Sequence, residues 1–190
     1  MNANDILEQY NEINHKDAAG RFNFLSNHRH DWNRFFMQRA WDVSTMSTCA
    51  RLNVGGILVK RNRIKNIAYN GVPSEHVHCR AFFEKYHHSN LIPIPFDEWV
   101  RTEEFRDVHA KFSEKHEIHC ESNLIAGIDE EVLNGANVYL TCTPCLSCSK
   151  LLIAAKIKRL FYDQEYDRGN PQEVIGYLRS AGIDVHRIQV

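Results

Sequence analysis

The stretch "NVYLTCTPCLSCSKLLIAAKIKRLFYD", Asn137 to Asp163, contains two apolar segments on either side of a helix-favouring one. The outer segments, NVYLTC and IKRLFYD, are rich in β-branched and aromatic residues and predict two strands. Between them, the segment from Pro144 to Lys156 predicts a helix with the proline in its first turn. A strand, a helix and a strand in this order are typical of an α/β sheet with right-handed crossovers.

The same alternation continues on both sides of this unit. Downstream, residues 171–181 predict a helix and residues 183–188 a strand, and upstream a helix is expected from His119 to Ile128. The segments VGGILV and RIKNIAYN flank the tight basic turn KRN and predict a hairpin over residues 54–70. A further amphipathic helix is expected from Asp31 to Met46. Together these elements predict a three-layer α/β/α sandwich around five strands.

The length of 190 residues is sufficient for one hydrophobic core. Residues 31–190 are predicted to form that domain, preceded by a polar N-terminal arm over residues 1–30. Residues 72–118 contain three prolines, several histidines and scattered aromatic residues. They predict a long insertion with some helix near residues 96–113.

Charge and hydropathy exclude several classes of protein. The formal net charge of −1 argues against a long nucleic-acid footprint. No apolar run approaches the roughly 20 residues of a membrane span, and the first residues lack an apolar segment of signal-peptide type. A cytoplasmic protein is therefore expected, and its six cysteines are expected to serve a metal or chemistry instead of disulfides.

Three candidate zinc ligands come from two short motifs. Cys145 and Cys148 are three residues apart at the start of a predicted helix, and His119 opens the helix before the preceding strand. Catalytic zinc keeps one of four positions for water, whereas structural zinc is closed by four protein ligands. Cys142 could close the shell, but strand alternation favours a buried apolar role. Half of a structural zinc knuckle, or a pair of buried thiols, remains the alternative for the two cysteines.

Glu121 follows His119 by two residues and favours the catalytic interpretation. A carboxylate beside zinc-bound water can take its proton and pass it on. The alternative is a helix N-terminal carboxylate stabilised by the helix dipole. Together the two motifs predict an active-site zinc.

His119-Cys120-Glu121 and the segment Pro144 to Cys148 match the pattern H-x-E…P-C-x-x-C of zinc-dependent nucleobase deaminases. The stretch "STCARLNVGGILVKRNRIKNIAYNGVP" resembles the hairpin region of deoxycytidylate (dCMP) deaminases, most nearly the bacteriophage type, and the resemblance extends from Asp31 to Val190. Two departures are Cys120, where the family usually has alanine, and Ala68-Tyr69 where it has Gly-Tyr.

The resemblance implies a cytidine deaminase-like fold with a mixed five-stranded sheet. It also implies hydrolysis of dCMP to dUMP and ammonia by zinc-bound hydroxide, with Glu121 moving the protons, to supply dUMP for thymidylate synthesis. Asn70 would contact the sugar, Arg51 and Ser47 would lie near the 5′-phosphate, and Tyr166 would be an aromatic contact. Arg51 as a solvated helix-end cation and Asn70 as a turn residue remain alternatives.

A second, structural zinc is implied at Cys49, Cys79 and His109. The further histidine expected four residues before His109 is Phe105 here, so His76 or His78 would have to replace it. The alternative is that these thiols are only buried.

The resemblance further implies activation by dCTP and inhibition by dTTP, with Mg²⁺ accompanying the triphosphate and with Tyr69 and Gly71 at the effector site. It also implies a homo-oligomer, in the family often a hexamer. Two other functions remain open. One is deamination of a different carrier, such as cytidine, a riboflavin precursor or tRNA adenosine; the other is a non-catalytic, zinc-stabilised binding module.

Overall fold

A computed structural model describes residues 31–166 and 170–190, so the predicted arm over residues 1–30 lies outside the described residues. The helices are α1 (Trp32–Ser44), α2 (Cys79–Ser89), α3 (Phe96–Trp99), α4 (Glu103–His116), α5 (Cys120–Ile125), α6 (Glu130–Leu133), α7 (Leu146–Ala154) and α8 (Pro171–Ser180). The strands are β1 (Gly55–Lys60), β2 (Arg63–Tyr69), β3 (Asn137–Cys142), β4 (Arg159–Gln164) and β5 (Asp184–Arg187). In the described ranges, no helix has both the length and the apolar character needed to cross a bilayer.

The five strands form one mixed sheet in the order β2-β1-β3-β4-β5. Strand β1 runs antiparallel to β2 and β3, whereas β3, β4 and β5 are parallel to one another. Successive residues of β1 face opposite sides: Ile57 packs with Phe36 and Met37 of α1, whereas Leu58 packs with Leu124 of α5 and its neighbours. Helices therefore cover both faces, which confirms the predicted three-layer α/β/α sandwich.

Two adjacent glycines in β1 allow helices to approach the sheet closely from both sides. A Cβ atom at Gly55 would overlap the backbone of α1 at Ala40 and Ser44. A Cβ atom at Gly56 would lie 2.8 Å from the Sγ atom of Cys120 in α5. The pair "GG" thus sets the distance from the sheet to the helix that carries the His-x-Glu motif.

The insertion contains more helix than its sequence predicts. Helix α2 was not expected, whereas the helix expected near residues 96–113 is present as α3 and α4, the latter ending at His116. The hydrophobic periodicity of α2 is difficult to recognise in the sequence, because aromatic residues occur on its exposed side as well. Phe82 and Tyr86 are each 41% exposed, whereas Phe83 is fully buried. These helices enclose their own hydrophobic cluster, which we call the insertion core: Cys49, Ala50, Cys79, Phe83, Trp99 and Phe105.

Candidate active site

Two helix N-termini bring the motif residues together. His119 is the N-cap of α5, with Glu121 in the first turn of that helix. Cys145 is the N-cap of α7, with Cys148 in the first turn. The predicted start of this helix at Pro144 is therefore wrong by two residues, because the sulfur of Cys145 accepts a hydrogen bond from the backbone N–H of Cys148 (3.4 Å) and caps the helix.

The ligand atoms of His119, Cys145 and Cys148 lie within 4.8 Å of one another. The Nδ1 atom of His119 is 3.6 Å from the sulfur of Cys145 and 3.3 Å from that of Cys148. Tetrahedral zinc with Zn–S of about 2.3 Å and Zn–N of about 2.0 Å separates such atoms by roughly 3.5 Å, so the group fits zinc. Over residues 31–166 and 170–190, no other histidine, cysteine, aspartate or glutamate joins the group.

Electrostatics in this group suit metal binding and proton transfer. Hydrogen bonding to Cys148 lowers the pKa of Cys145 to about 4, so this thiol ionises readily to a zinc-binding thiolate. Glu121 is only 5% exposed, and burial raises its carboxyl pKa above the usual range. A carboxylate with a raised pKa accepts protons more readily, as a general base requires.

One pocket is lined by two members of this group and by most of the expected substrate residues. His119, Glu121 and Cys145 line it together with Asn70, and its wall also includes two further expected contacts, Arg51 and Tyr166. Ser47 is not among its lining residues. The hydroxyl of Ser47 instead donates to the Oδ1 atom (2.8 Å) and lies 2.9 Å from the backbone oxygen of Asn70.

Asn70 is held firmly by its neighbours. Its Oδ1 atom also accepts from the backbone N–H of Val54 (2.8 Å), and its Nδ2 atom donates to the backbone oxygen of Leu52 (3.0 Å). A side-chain amide has two N–H groups, so the second one is available to a ligand. Asn70 can therefore serve both as a turn residue and as a substrate contact.

A second group of candidate metal ligands consists of Cys49, Cys79, His109 and Glu117, and all of them except Cys79 line the same pocket. The Nε2 atom of His109 is 3.2 Å from the sulfur of Cys49 and 3.5 Å from that of Cys79, and the Oε2 atom of Glu117 lies 3.8 Å from the sulfur of Cys49. The other carboxylate oxygen of Glu117 is buried without a hydrogen-bond partner among the described residues. Two sulfurs, one nitrogen and one carboxylate fit structural zinc.

The sequence did not predict Glu117 as the fourth member. His76 and His78 do not join the group: both are exposed, and they lie near Ser74 and Thr48 respectively. Phe105 is fully buried in the insertion core. The sequence around Glu117 carries no signal of this role, because a glutamate at the end of a charged helix resembles a solvated residue.

A family model for the cytidine and deoxycytidylate deaminase zinc-binding region matches residues 30–164. The chain belongs to this deaminase family. It is therefore a zinc-dependent hydrolytic enzyme, which confirms the expected resemblance and activity class.

Relatives of this deaminase include phage proteins. It is 33% identical over 172 residues to the deoxycytidylate deaminase of Enterobacteria phage T4, covering 80% of this chain and 87% of the relative. It is 30% identical over 137 residues to that of Mycobacterium phage D29, covering 72% and 98%. The dCMP deaminase of cyanophage S-TIM5, solved with dCMP and dUMP, superimposes with a TM-score of 0.59 at 26% identity, covering 82% of this chain and 95% of that one.

The remaining cysteines and the expected effector residues lie outside both ligand groups of this deaminase. Cys120 is buried, and its sulfur donates to the backbone oxygen of Ala68 (3.2 Å). Cys142 is buried at the end of β3. Tyr69 is 41% exposed, and Gly71 forms an antiparallel bridge with Ile118.

Proposed function

We propose that this deaminase hydrolyses dCMP to dUMP and ammonia, supplying dUMP for thymidylate synthesis in the cytoplasm. The observation that carries the proposal is the three-ligand group beside buried Glu121, in a pocket that also contains Asn70 and Arg51. The names of the phage relatives and the dCMP complex of the cyanophage enzyme support the same substrate.

The reaction requires proton transfers that Glu121 is placed to perform. Zinc held by His119, Cys145 and Cys148 would supply a Lewis acid that lowers the pKa of water at the site. Glu121 takes one proton from the attacking water and delivers it to N3 of cytosine. It then takes the remaining proton from the new hydroxyl group at C4 and passes it to the amino group as the C4–N bond breaks, which leaves the C4 carbonyl of uracil and ammonia. Asn70 orients the sugar through its second amide N–H, and Arg51 attracts the phosphate.

The test is ammonia release from dCMP, deoxycytidine, cytidine and dCTP, measured side by side with the zinc-loaded full chain. We expect dCMP to give the highest kcat/KM. A higher value for cytidine or deoxycytidine would contradict the proposal. No release from any of them, together with unfolding on zinc removal, would favour a non-catalytic zinc-stabilised module.

We further propose that Cys49, Cys79, His109 and Glu117 hold a second, structural zinc. The four mutually close ligand atoms and the unpartnered oxygen of Glu117 support it. Such a metal would connect the chain segment after α1 to α2, to α4 and to the segment that leads into His119. Elemental analysis giving two zinc ions per chain is the expected result.

Regulation and assembly are proposed from the family resemblance. dCTP with Mg²⁺ is expected to activate a homo-oligomer, with dTTP inhibiting it and with Tyr69 and Gly71 at the effector site. Trp32 and Phe35 are 51% and 44% exposed on α1 and are consistent with subunit contacts. Rate curves in dCMP with and without each triphosphate, combined with sedimentation analysis, test both points. A hyperbolic curve that neither triphosphate changes would contradict the regulation.

A further inference from the structure

A second pocket, rich in arginine, adjoins the candidate active site. Its wall contains Arg51, Arg101 and Arg106. It shares Arg51 and Tyr166, among other residues, with the pocket that contains Glu121. The two spaces therefore meet at the side of the active site where Arg51 lies.

Resting on the proposed dCMP hydrolysis, we propose that Arg101 and Arg106 bind the phosphate group of the substrate together with Arg51. A nucleotide with its base beside Glu121 and its sugar beside Asn70 extends toward the shared wall. Its phosphate then enters the arginine-lined pocket. The insertion would thereby select nucleotides over nucleosides.

One hydrophobic cluster anchors the backbone next to all three arginines. Each of the three arginines directly follows a residue that belongs to the insertion core or packs against it, namely Ala50, Val100 and Phe105. The hydroxyl of Thr102 donates to the backbone oxygen of Trp99 (2.7 Å) and accepts from the backbone N–H of Phe105 (3.2 Å). These contacts fix the segment between α3 and α4, so the arginine-lined pocket is preorganised for an anion.

The two acidic residues in this wall do not cancel its attraction for phosphate. Glu165 lies 3.7 Å from Arg187, a cation outside the pocket lining. Glu103 lies 3.3 Å from Arg106, but its side chain is 86% exposed whereas that of Arg106 is 27% exposed. An exposed ion pair contributes little. A phosphate dianion, which accepts several charge-assisted hydrogen bonds from guanidinium groups, can displace Glu103.

The experiment compares Arg101→Ala, Arg106→Ala and the double variant with the unmodified full chain, using dCMP and deoxycytidine as substrates. We expect kcat/KM for dCMP to fall roughly tenfold in each single variant and roughly a hundredfold in the double variant, since each variant loses charge-assisted hydrogen bonds to the phosphate and tenfold corresponds to about 1.4 kcal/mol. The value for deoxycytidine should change less than about twofold. Where turnover of deoxycytidine is too slow to measure, the inhibition constants of dUMP and deoxyuridine are compared instead. Their ratio reports the same preference for the phosphate group.

Lys111→Ala is the matched control, because it removes an exposed cation from the same helix as Arg106. Equal losses for dCMP and deoxycytidine, or no loss for either, would overturn the inference while leaving dCMP hydrolysis intact. If the unmodified chain turned over neither substrate, the proposed function would fail and the inference with it. Arg106→Lys should retain part of the phosphate preference, because it keeps the charge but not the planar donor pair.

Discussion

Glu121 is a buried carboxyl group placed close to groups that bind a cation. Burial is the main cause that raises its pKa, the negative charge of Cys145 adds to it, and the sulfur of Cys148 lies within hydrogen-bonding reach. The side chain is therefore too enclosed to act as a solvated helix-cap charge. This position supports the proposed role of Glu121 in taking up a proton and releasing it later.

Replacing Glu121 with glutamine tests this role. We expect Glu121→Gln to retain the fold and the zinc but to lower kcat for dCMP by at least about 10²–10⁴-fold, because the amide cannot accept and return a proton. Steady-state rates and zinc content check the prediction. Glu114→Gln, at an exposed position in α4, is the control and should leave kcat unchanged. Loss of zinc together with activity in Glu121→Gln would contradict the assigned role.

The hydroxyl of Ser47 donates to Asn70 in this structure, so we propose that Ser47 positions Asn70 and does not contact the phosphate directly. We expect Ser47→Ala to raise KM for dCMP and for deoxycytidine by similar factors, because both substrates have the sugar that Asn70 would contact. A direct phosphate contact would instead affect dCMP alone. The free energy of unfolding should fall by about 1 kcal/mol through loss of one buried hydrogen bond. Kinetics with both substrates and denaturant titration provide the two measurements.

At the scale of the elements, the close approach of α5 to β1 positions His119 and Glu121. Gly56 permits that approach, since the sulfur of Cys120 occupies the space where a side chain would begin. The cysteine that replaces the family's usual alanine is thus a packing residue opposite a glycine. Packing at this contact and placement of the catalytic residues are coupled.

Substitution of Gly56 by alanine should therefore disturb both stability and activity. We expect Gly56→Ala to lower the free energy of unfolding by about 1–3 kcal/mol, as overpacking usually does. Adding Cys120→Ala should restore part of the loss, because it removes the sulfur that the new methyl group meets. Gly176→Ala in α8 is the control, since a Cβ there meets nothing within 4 Å. Thermal unfolding of these three variants and the unmodified chain would contradict the packing account if the double variant were no more stable than Gly56→Ala.

For the whole molecule, the described residues contain two groups of candidate metal ligands, and members of both groups line one pocket. We expect Cys79→Ala to reduce the zinc content from two ions per chain to one. The Tm should fall by roughly 4 °C or more, because about 1–2 kcal/mol lowers the Tm of a chain of this size by several degrees. Cys120→Ala, which removes a buried thiol outside both groups, should retain two zinc ions. Elemental analysis and calorimetry are the measurements, and an unchanged zinc content in Cys79→Ala would contradict the second site.

Much of this arrangement could be predicted from the sequence, because strand periodicity and the two motifs are local signals. The strand NVYLTC has the predicted bounds. The three candidate ligands His119, Cys145 and Cys148 lie close together as expected. Glu117 could not be recognised in the same way. A glutamate at the end of a charged helix resembles a solvated residue, and only the bridge between Gly71 and Ile118 shows how this segment is held. Arg106 is similar, since packing alone distinguishes it from the other cations of α4.

Glu117, Ile118 and His119 are consecutive, so a single residue separates a member of one ligand group from a member of the other. The distance between the two groups along the chain is therefore fixed at one residue. A deletion or an insertion at Ile118 would displace the candidate ligand of at least one group, even if the surrounding loops adapted. A design that transfers either ligand group to another scaffold would have to retain the tripeptide Glu117–Ile118–His119 unchanged.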